Sequence, residues 1–451
     1  MEASAAQTRP QKGQKLELQV DDLAFGGAGV ARHDGYVVFV RDALPGDRVR
    51  AEITKRKRAY AEARTLEVVT PGPDRIAPLA DHPGAPWQVL PYERQLEYKQ
   101  RQVGEALRRL GKLDGFELHE IVPAVEQWRY RNKLEYSFGT GGEGELVCGF
   151  HRPGSWEHIE PLEDCLLAGA RGNAARIAAL EWCRAQGLSA YDRRSQLGLL
   201  RNLVVREGRR TGELQIRLVT SDDSELELEG FADAAGADSV LWTRAAGVAE
   251  STLGGFTEIL RGSGAIHEEV GELRFRLSPD AFFQTNTEMA EVLYGIAIDA
   301  AGLQGWERVY DLYCGIGTIG LSLAARAGEV WGLEIVEEAI ADAIANAAAN
   351  EVPNARYFAG DVRLALRELG EQAGRPDVVV IDPPRAGLSA KIVRRIIESG
   401  PKRIVYVSCN PTTLAPNAAQ LVEAGYVLRS VRPVDMFPQT PHIECVALLE
   451  R

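Results

Sequence analysis

A cysteine that ends an apolar run and is followed at once by asparagine and proline stands where a buried packing residue would be expected, and raises the question of chemistry. Cys409 stands so in VYVSCNPTTL, Val405 to Leu414. Taken alone, a strand-end cysteine is commonly a small buried hydrophobe. Close to the C-terminus, TPHIECVALLE puts Glu444 between Ile443 and Cys445 in an apolar run. An acid there conflicts with burial unless it has a partner or a function, or the strand is an edge facing water. A thiol and a carboxylate supply a nucleophile and a base.

Two further runs say what they would act on. DLYCGIGTIG, Asp311 to Gly320, spaces Gly315, Gly317 and Gly320 as G-x-G-x-x-G, with Glu334 closing the next apolar run. Such a turn brings backbone close to a cofactor, and the acid binds ribose hydroxyls. The motif alone fits a nicotinamide enzyme or an S-adenosylmethionine enzyme. VVVIDPPRAGL, Val378 to Leu388, ends a strand on Asp382 and two prolines. A rigid loop would account for the prolines, but Asp-Pro-Pro has no part in hydride transfer. In methyltransferases acting on planar bases the target ring lies there. Whether an exocyclic amine or a ring carbon is the target stays open at this point. Cys409 decides it, because an amine carries its own lone pair. Carbon 5 of a pyrimidine needs a thiolate at carbon 6 to become nucleophilic, and a base such as Glu444 must then remove its proton.

The elements that must position these residues follow from pattern. The 451-residue chain exceeds one ordinary domain. From Gln14 to Val69, short alternating strands with glycine turns predict a small barrel, and Lys55, Arg56, Lys57 and Arg58 form a basic run on it. Thr70 to Trp87 is rich in proline and glycine and marks a boundary; Leu96, Val103, Leu107 and Leu110 then predict one amphipathic helix. Residues 126 to 276 read as mixed strands and helices. There WRYRNKLEY and VVREGRRTGELQIRLVT interleave arginines with apolar and aromatic residues. That suits stacking on bases and gripping phosphates, or a sheet with charged outer faces. From Phe282, apolar runs alternating with helical stretches predict a doubly wound α/β sheet, whose ligands bind at the carboxyl ends of the strands.

Composition, with 45% hydrophobic and 26% charged residues, is that of a soluble protein, and no apolar run is long enough to span a bilayer. The N-terminus lacks a secretory core segment and reads as a disordered tail. Six scattered cysteines without a CxxC pair fit a reducing cytoplasm. A net charge of −12 argues against indiscriminate nucleic-acid binding. No obligate protein partner is evident.

FFQTN, DLYCGIG, DPPRAG, SCNP and HIECV, in this order, closely resemble the RNA uracil-5-methyltransferase family. WRYRNKLEYSFG, VCGFHRPGSWEHIEPLEDC and LSPDAFFQTNTEMAEVLY resemble family segments too, so the likeness runs over nearly the whole chain. It implies an S-adenosylmethionine-dependent enzyme making 5-methyluridine in RNA, with Cys409 as nucleophile and Glu444 as base. It assigns Gln284, Tyr313, Gly315, Gly317, Thr318, Glu334, Asp361 and Asp382 to the cofactor, with Gln284 and Asp382 also near the base. Thr318 and Asp361 stand where ribosomal-RNA members often carry asparagine. The N-terminal barrel resembles a TRAM domain, which favours ribosomal over transfer RNA. The implied division is a barrel at 10–70, a central RNA-binding domain at 71–92 and 126–276, and a Rossmann-like methyltransferase domain at 93–125 and 277–451. Ribosomal-RNA members often hold an iron–sulfur cluster through four cysteines. Here ADHPGAPWQVLPYE carries none and only Cys165 remains, so no cluster and no metal are expected. Methylation of cytidine or of an amine on the same fold, or a non-catalytic RNA-binding factor, are the rival readings.

Overall fold

The computed structural model describes residues 9–222, 226–247, 252 and 255–451; the first eight residues of the expected tail lie outside them. Strands Lys15–Leu23, Gly29–His33, Tyr36–Arg41, Arg48–Arg56 and Tyr60–Thr70 close into a barrel, the fifth lying between the third and the fourth. Alternation explains it. Leu18 and Val20, Val38 and Val40, and Val49, Ala51 and Ile53 point inward and fill a core of their own. The run Lys55 to Arg58 lies at the exposed turn between the last two strands, where Lys55 pairs with Glu62 at 3.5 Å.

The expected helix spans Tyr92–Glu105 and continues as one π turn, Ala106–Leu110. Val103 and Leu107 are buried, but Leu110 is 57% exposed. The π turn adds a residue to the helical repeat and rotates the last position away from the core. The buried face is largely polar instead, with Gln95, Tyr98, Lys99 and Gln102.

Seven strands form the central sheet, in the order Phe256–Arg261, Ser239–Ala245, Leu214–Ser221, Leu200–Glu207, Lys133–Thr140, Leu146–His151 and Ile159–Pro161. Helix Ala170–Ala185 packs on it. Much of the two interleaved clusters turns inward, while Glu135 and Arg210 are exposed. Tyr130 and Tyr136 are core residues, and Arg131 lies over the Phe437 ring at 5.8 Å. Arg206 is buried and donates to the carbonyls of Ser278 (2.9 Å) and Ala281 (2.5 Å). Arg209 donates to the Arg129 carbonyl at 2.8 Å and pairs with Glu288 at 3.4 Å. These arginines tie the central sheet to the segment that leads into the C-terminal sheet.

That sheet has eight strands, in the order Ala355–Ala359, Glu329–Glu334, Arg308–Leu312, Val378–Ile381, Arg403–Ser408, Glu444–Glu450, Val427–Val434 and Glu117–Leu118. The first five run parallel and Glu444–Glu450 runs antiparallel between its neighbours. Apolar side chains cover both faces, as crossover helices require. The hairpin Ile266–Val270/Leu273–Leu277, at the end of the central stretch in sequence, buries Ile266, Val270, Phe275 and Leu277 in the core of this sheet.

Candidate active site

The unusual residues collect along one edge, the carboxyl ends of the parallel strands. Tyr313 follows Arg308–Leu312, Glu334 ends its strand, and Asp361 lies two residues beyond Ala355–Ala359. Asp382 follows Val378–Ile381, and Cys409 follows Arg403–Ser408. Glu444 opens a strand of opposite sense, so it reaches the same edge. Ser408 pairs with Cys445, so Cys409 and Glu444 are the residues that adjoin this last pair at the edge, and Glu444 is near enough to raise the Cys409 thiol. Two side chains 35 residues apart in sequence thereby become neighbours.

Hydrogen bonds fix the strand-end loops against each other. Asn410 caps helix Pro411–Glu423 by accepting from the Thr412 N–H, while its Nδ2 donates to the Arg385 carbonyl at 3.0 Å. The Asn410 N–H donates to Ser408 Oγ at 3.2 Å. The SCNP and DPPRAG turns are thus one unit. Electrostatics mark the same group. Burial pushes the Cys409 thiol up to about 11, reinforced by Glu444 and Asp382 and opposed by Arg385. Burial, then Asp382, raises the Glu444 carboxyl well above its ordinary value, again opposed by Arg385. Burial brings Asp382 to about 7. His442 is pushed down to about 4 by burial and by Arg385, Arg131 and Lys99, so its ring is neutral at pH 7. Cys409, Glu444 and Asp382 share one desolvated place beside the Arg385 cation.

The glycine turn lies two strands away. Tyr313 (φ +65°) and Gly317 (φ +85°) carry the chain through left-handed backbone. A side chain on Gly317 would strike the Tyr357 hydroxyl, whereas the space where a Gly315 side chain would go is open. The Gly315 N–H donates to Glu334 Oε2 at 3.3 Å, and Glu334 Oε1 accepts from the N–H groups of Ile335 and Val336. Beneath the turn, Asp311 is fully buried; one oxygen accepts from the Gly320 N–H at 2.9 Å and the other has no partner among the described residues. Burial pushes Tyr313 up to about 12, with Asp361 and Glu334 adding to it. An open backbone cradle, a strand-end carboxylate and an orphaned buried oxygen fit a nucleoside cofactor with a cationic end.

The remaining expected residues are placed less simply. Gln284 is buried just ahead of helix Thr287–Ala301, and its carbonyl accepts from Asn132 Nδ2 at 2.9 Å. That helix packs on Arg403–Ser408 and Glu444–Glu450. Thr318 opens helix Thr318–Ala324, and its side chain lowers the pKa of the buried Tyr294 hydroxyl against the larger upward push of burial. Asp361 accepts from the Arg363 N–H at 2.8 Å as the cap of helix Val362–Ala373, and pairs with the Arg363 guanidinium at 3.3 Å. Cys165 is buried with its Sγ 3.3 Å from His82 Nε2, and the described residues contain no group of three or more His, Cys, Asp and Glu able to hold a metal ion. Sequence reasoning gave no role to Arg385, Asn410 or His442. Arg385 had a signal, being the one cation within the Asp-Pro-Pro run.

Comparison with known proteins agrees with this layout. Residues 265–451 match the family described as tRNA (Uracil-5-)-methyltransferase, and residues 9–66 match the TRAM domain. An uncharacterised RNA methyltransferase of Halalkalibacterium halodurans is 37% identical over 99% of both chains. One from Gloeobacter violaceus is 40% identical over 98% of this chain and 97% of its own. Among solved structures, the tRNA (uracil-54, C5)-methyltransferase of Pyrococcus abyssi, in complex with S-adenosyl-L-homocysteine, is 28% identical with a TM-score of 0.78, covering 96% of this chain and 100% of its own. By this similarity from barrel to terminal strand, the chain belongs to the RNA uracil-5-methyltransferase family.

Proposed function

We propose that the protein methylates carbon 5 of a uridine in structured RNA, with Cys409 bonding to carbon 6 of the ring and Glu444 removing the proton from carbon 5. The observation that carries this is the meeting of Cys409 and Glu444 at one strand edge, beside Asp382 and Arg385. S-Adenosylmethionine supplies an electrophilic methyl group. The turn Tyr313–Gly317 and Glu334 would hold it, together with Gln284, Thr318, Asp361 and Asp382. A uracil entering this place would find a sulfur that is still protonated. The thiol gives up its proton to Asp382, held at about 7, as the sulfur bonds to carbon 6; the negative charge passes to the ring enolate and Arg385 offsets it. After methyl transfer, Glu444 as its carboxylate takes the carbon 5 proton, the double bond re-forms and the sulfur leaves, recovering its proton from Asp382. The uridine reaches the edge only when turned out of its helix, at a cost of a few kcal/mol, lower when it already lies in a loop.

We take the RNA to be ribosomal on the strength of the TRAM barrel. Transfer RNA is the second reading. The Pyrococcus abyssi enzyme, named for transfer RNA, matches 96% of this chain, a span that includes the barrel, so the barrel fits either. Mapping 5-methyluridine in both RNA pools of a strain lacking the protein separates them. Cys409→Ala abolishes turnover, and Glu444→Gln accumulates a covalent protein–RNA species that survives denaturation. Methylcytidine or an N-methylated base in the digested product, or full activity of either variant, would overturn the assignment.

A further inference from the structure

The loop joining Leu146–His151 to Ile159–Pro161 divides two concavities. On its outer side, Arg152 and Glu160 join Arg41, Lys55 and Arg64 of the barrel around an open cleft of about 1560 Å³. On the other side, a smaller cavity of about 200 Å³ lies within the central domain, lined by Phe138, His151, Trp156, Tyr191, Arg193 and Arg201 among others. None of these residues belongs to the C-terminal sheet, and methyl transfer makes no use of them.

The cavity is built from rings and guanidiniums. Trp156 is 49% exposed, a costly place for a large indole. The guanidinium carbons of Arg194 and Arg193 lie 5.5 and 5.7 Å from its ring centre. Arg201 stacks on Tyr191 at 4.1 Å and is fixed by a 2.6 Å hydrogen bond from Nη2 to the Gly247 carbonyl. At the wall, His151 Nε2 and Ser137 Oγ stand 3.2 Å apart. Among the described residues, Asp192 and Glu157 are acids that line the cavity. Asp192 Oδ1 accepts from the N–H groups of Arg194 and Ser195, and Glu157 pairs with Arg194. Flat rings alternating with guanidiniums, in a space that takes one ring system and not a helix, are what proteins use to seat single unpaired bases.

We propose that this cavity receives one unpaired nucleotide of the RNA, its base laid against Trp156 and its phosphate facing Arg193 and Arg194, apart from the place where the target uridine reacts. The proposal rests on the reading that the substrate is RNA. A strand lying in the barrel cleft has only the loop 152–158 to cross to reach it. The occupant therefore adds recognition of a second position in the sequence or loop around the target.

The test is binding of the full chain to fluorescent twelve-residue homopolymers of U, A, C and G. Trp156→Ala should weaken the preferred homopolymer about tenfold, and Tyr191→Ala should weaken it as well. Trp156→Phe, which keeps a ring face, should stay within about twofold. Ultraviolet irradiation should cross-link that RNA to a peptide holding Trp156 or Tyr191. Affinity for S-adenosylhomocysteine should be unchanged in all variants, which reports their folding. Cys409→Ser should bind the homopolymers as the wild type does, so failure of the methylation chemistry would not register here. Wild-type binding indifferent to Trp156→Ala and Tyr191→Ala, cross-links confined to other surfaces, or no binding of any homopolymer by the wild type would overturn the proposal.

Discussion

Cys409 is reactive only as a thiolate, and its surroundings disfavour that form. With the thiol pushed up to about 11 by burial, Glu444 and Asp382, about one molecule in a thousand carries the thiolate at pH 8. The proposed nucleophile is therefore quiet until a ring arrives, which protects it from oxidation and adventitious alkylation. The sign follows directly. Alkylation of Cys409 by iodoacetamide, followed by mass spectrometry of its peptide, should rise about tenfold per pH unit from pH 8 towards 10, with no plateau near the value of a free cysteine. Glu444→Gln removes a like charge and should shift the profile to lower pH. Arg385→Ala removes the opposing cation and should shift it higher. A plateau below pH 9 in the wild type would mean that the thiolate is already stabilised at rest.

At the scale of elements, helix Tyr92–Glu105 holds the segment that leads to Glu444. Lys99 and Asp435 are both fully buried, with Nζ 2.5 Å from Oδ1, and Lys99 also donates to the Phe437 carbonyl. The Tyr92 hydroxyl donates to the other Asp435 oxygen at 2.8 Å, and Gln95 exchanges hydrogen bonds with Gln439. Breaking such a pair leaves a charge buried and alone, so Lys99→Met or Asp435→Asn should each cost about 3–5 kcal/mol in urea unfolding. Because the segment ends at Glu444, the surviving folded fraction of either variant should also lose kcat more than RNA affinity. The sequence could not announce this pair, whose members lie 336 residues apart. Apolar periodicity located the helix correctly from Leu96 to Leu107 but took its buried face to be apolar, when Gln95, Lys99 and Gln102 make much of it. The strand-end residues were legible for the opposite reason. A turn after a parallel strand needs particular local residues, and Asp-Pro-Pro, Cys-Asn-Pro and the glycine run spell those needs in adjacent letters. The arginines of the central domain misled because residue type gives no direction. Arg206 and Arg209 point inward to carbonyls and carboxylates supplied by segments 70 or more residues away.

For the molecule as a whole, the net charge of −12 sets the terms of RNA binding. Four basic side chains of the barrel face acids across the strands: Arg48 faces Glu17, Arg50 faces Glu67, Lys55 faces Glu62 and Arg64 faces Glu52. Arg56, Lys57 and Arg58 project from the turn at the barrel's end, exposed to solvent. Phosphate attraction must therefore come from a few local cations against a repulsive background, which favours a bound RNA that also offers unpaired bases to stack. Each phosphate contact on single-stranded RNA contributes about −0.7 to the slope of log K against log salt. Replacing Arg56, Lys57 and Arg58 together by Ala should make that slope about 2 units shallower and leave kcat at saturating RNA unchanged, because the turn is exposed on a barrel whose core is separate from that of the C-terminal sheet. Affinity measured from 50 to 300 mM salt checks it. An unaltered slope would place the phosphate path elsewhere on the molecule, away from the barrel, and would remove the charge argument for the barrel as the RNA's first contact.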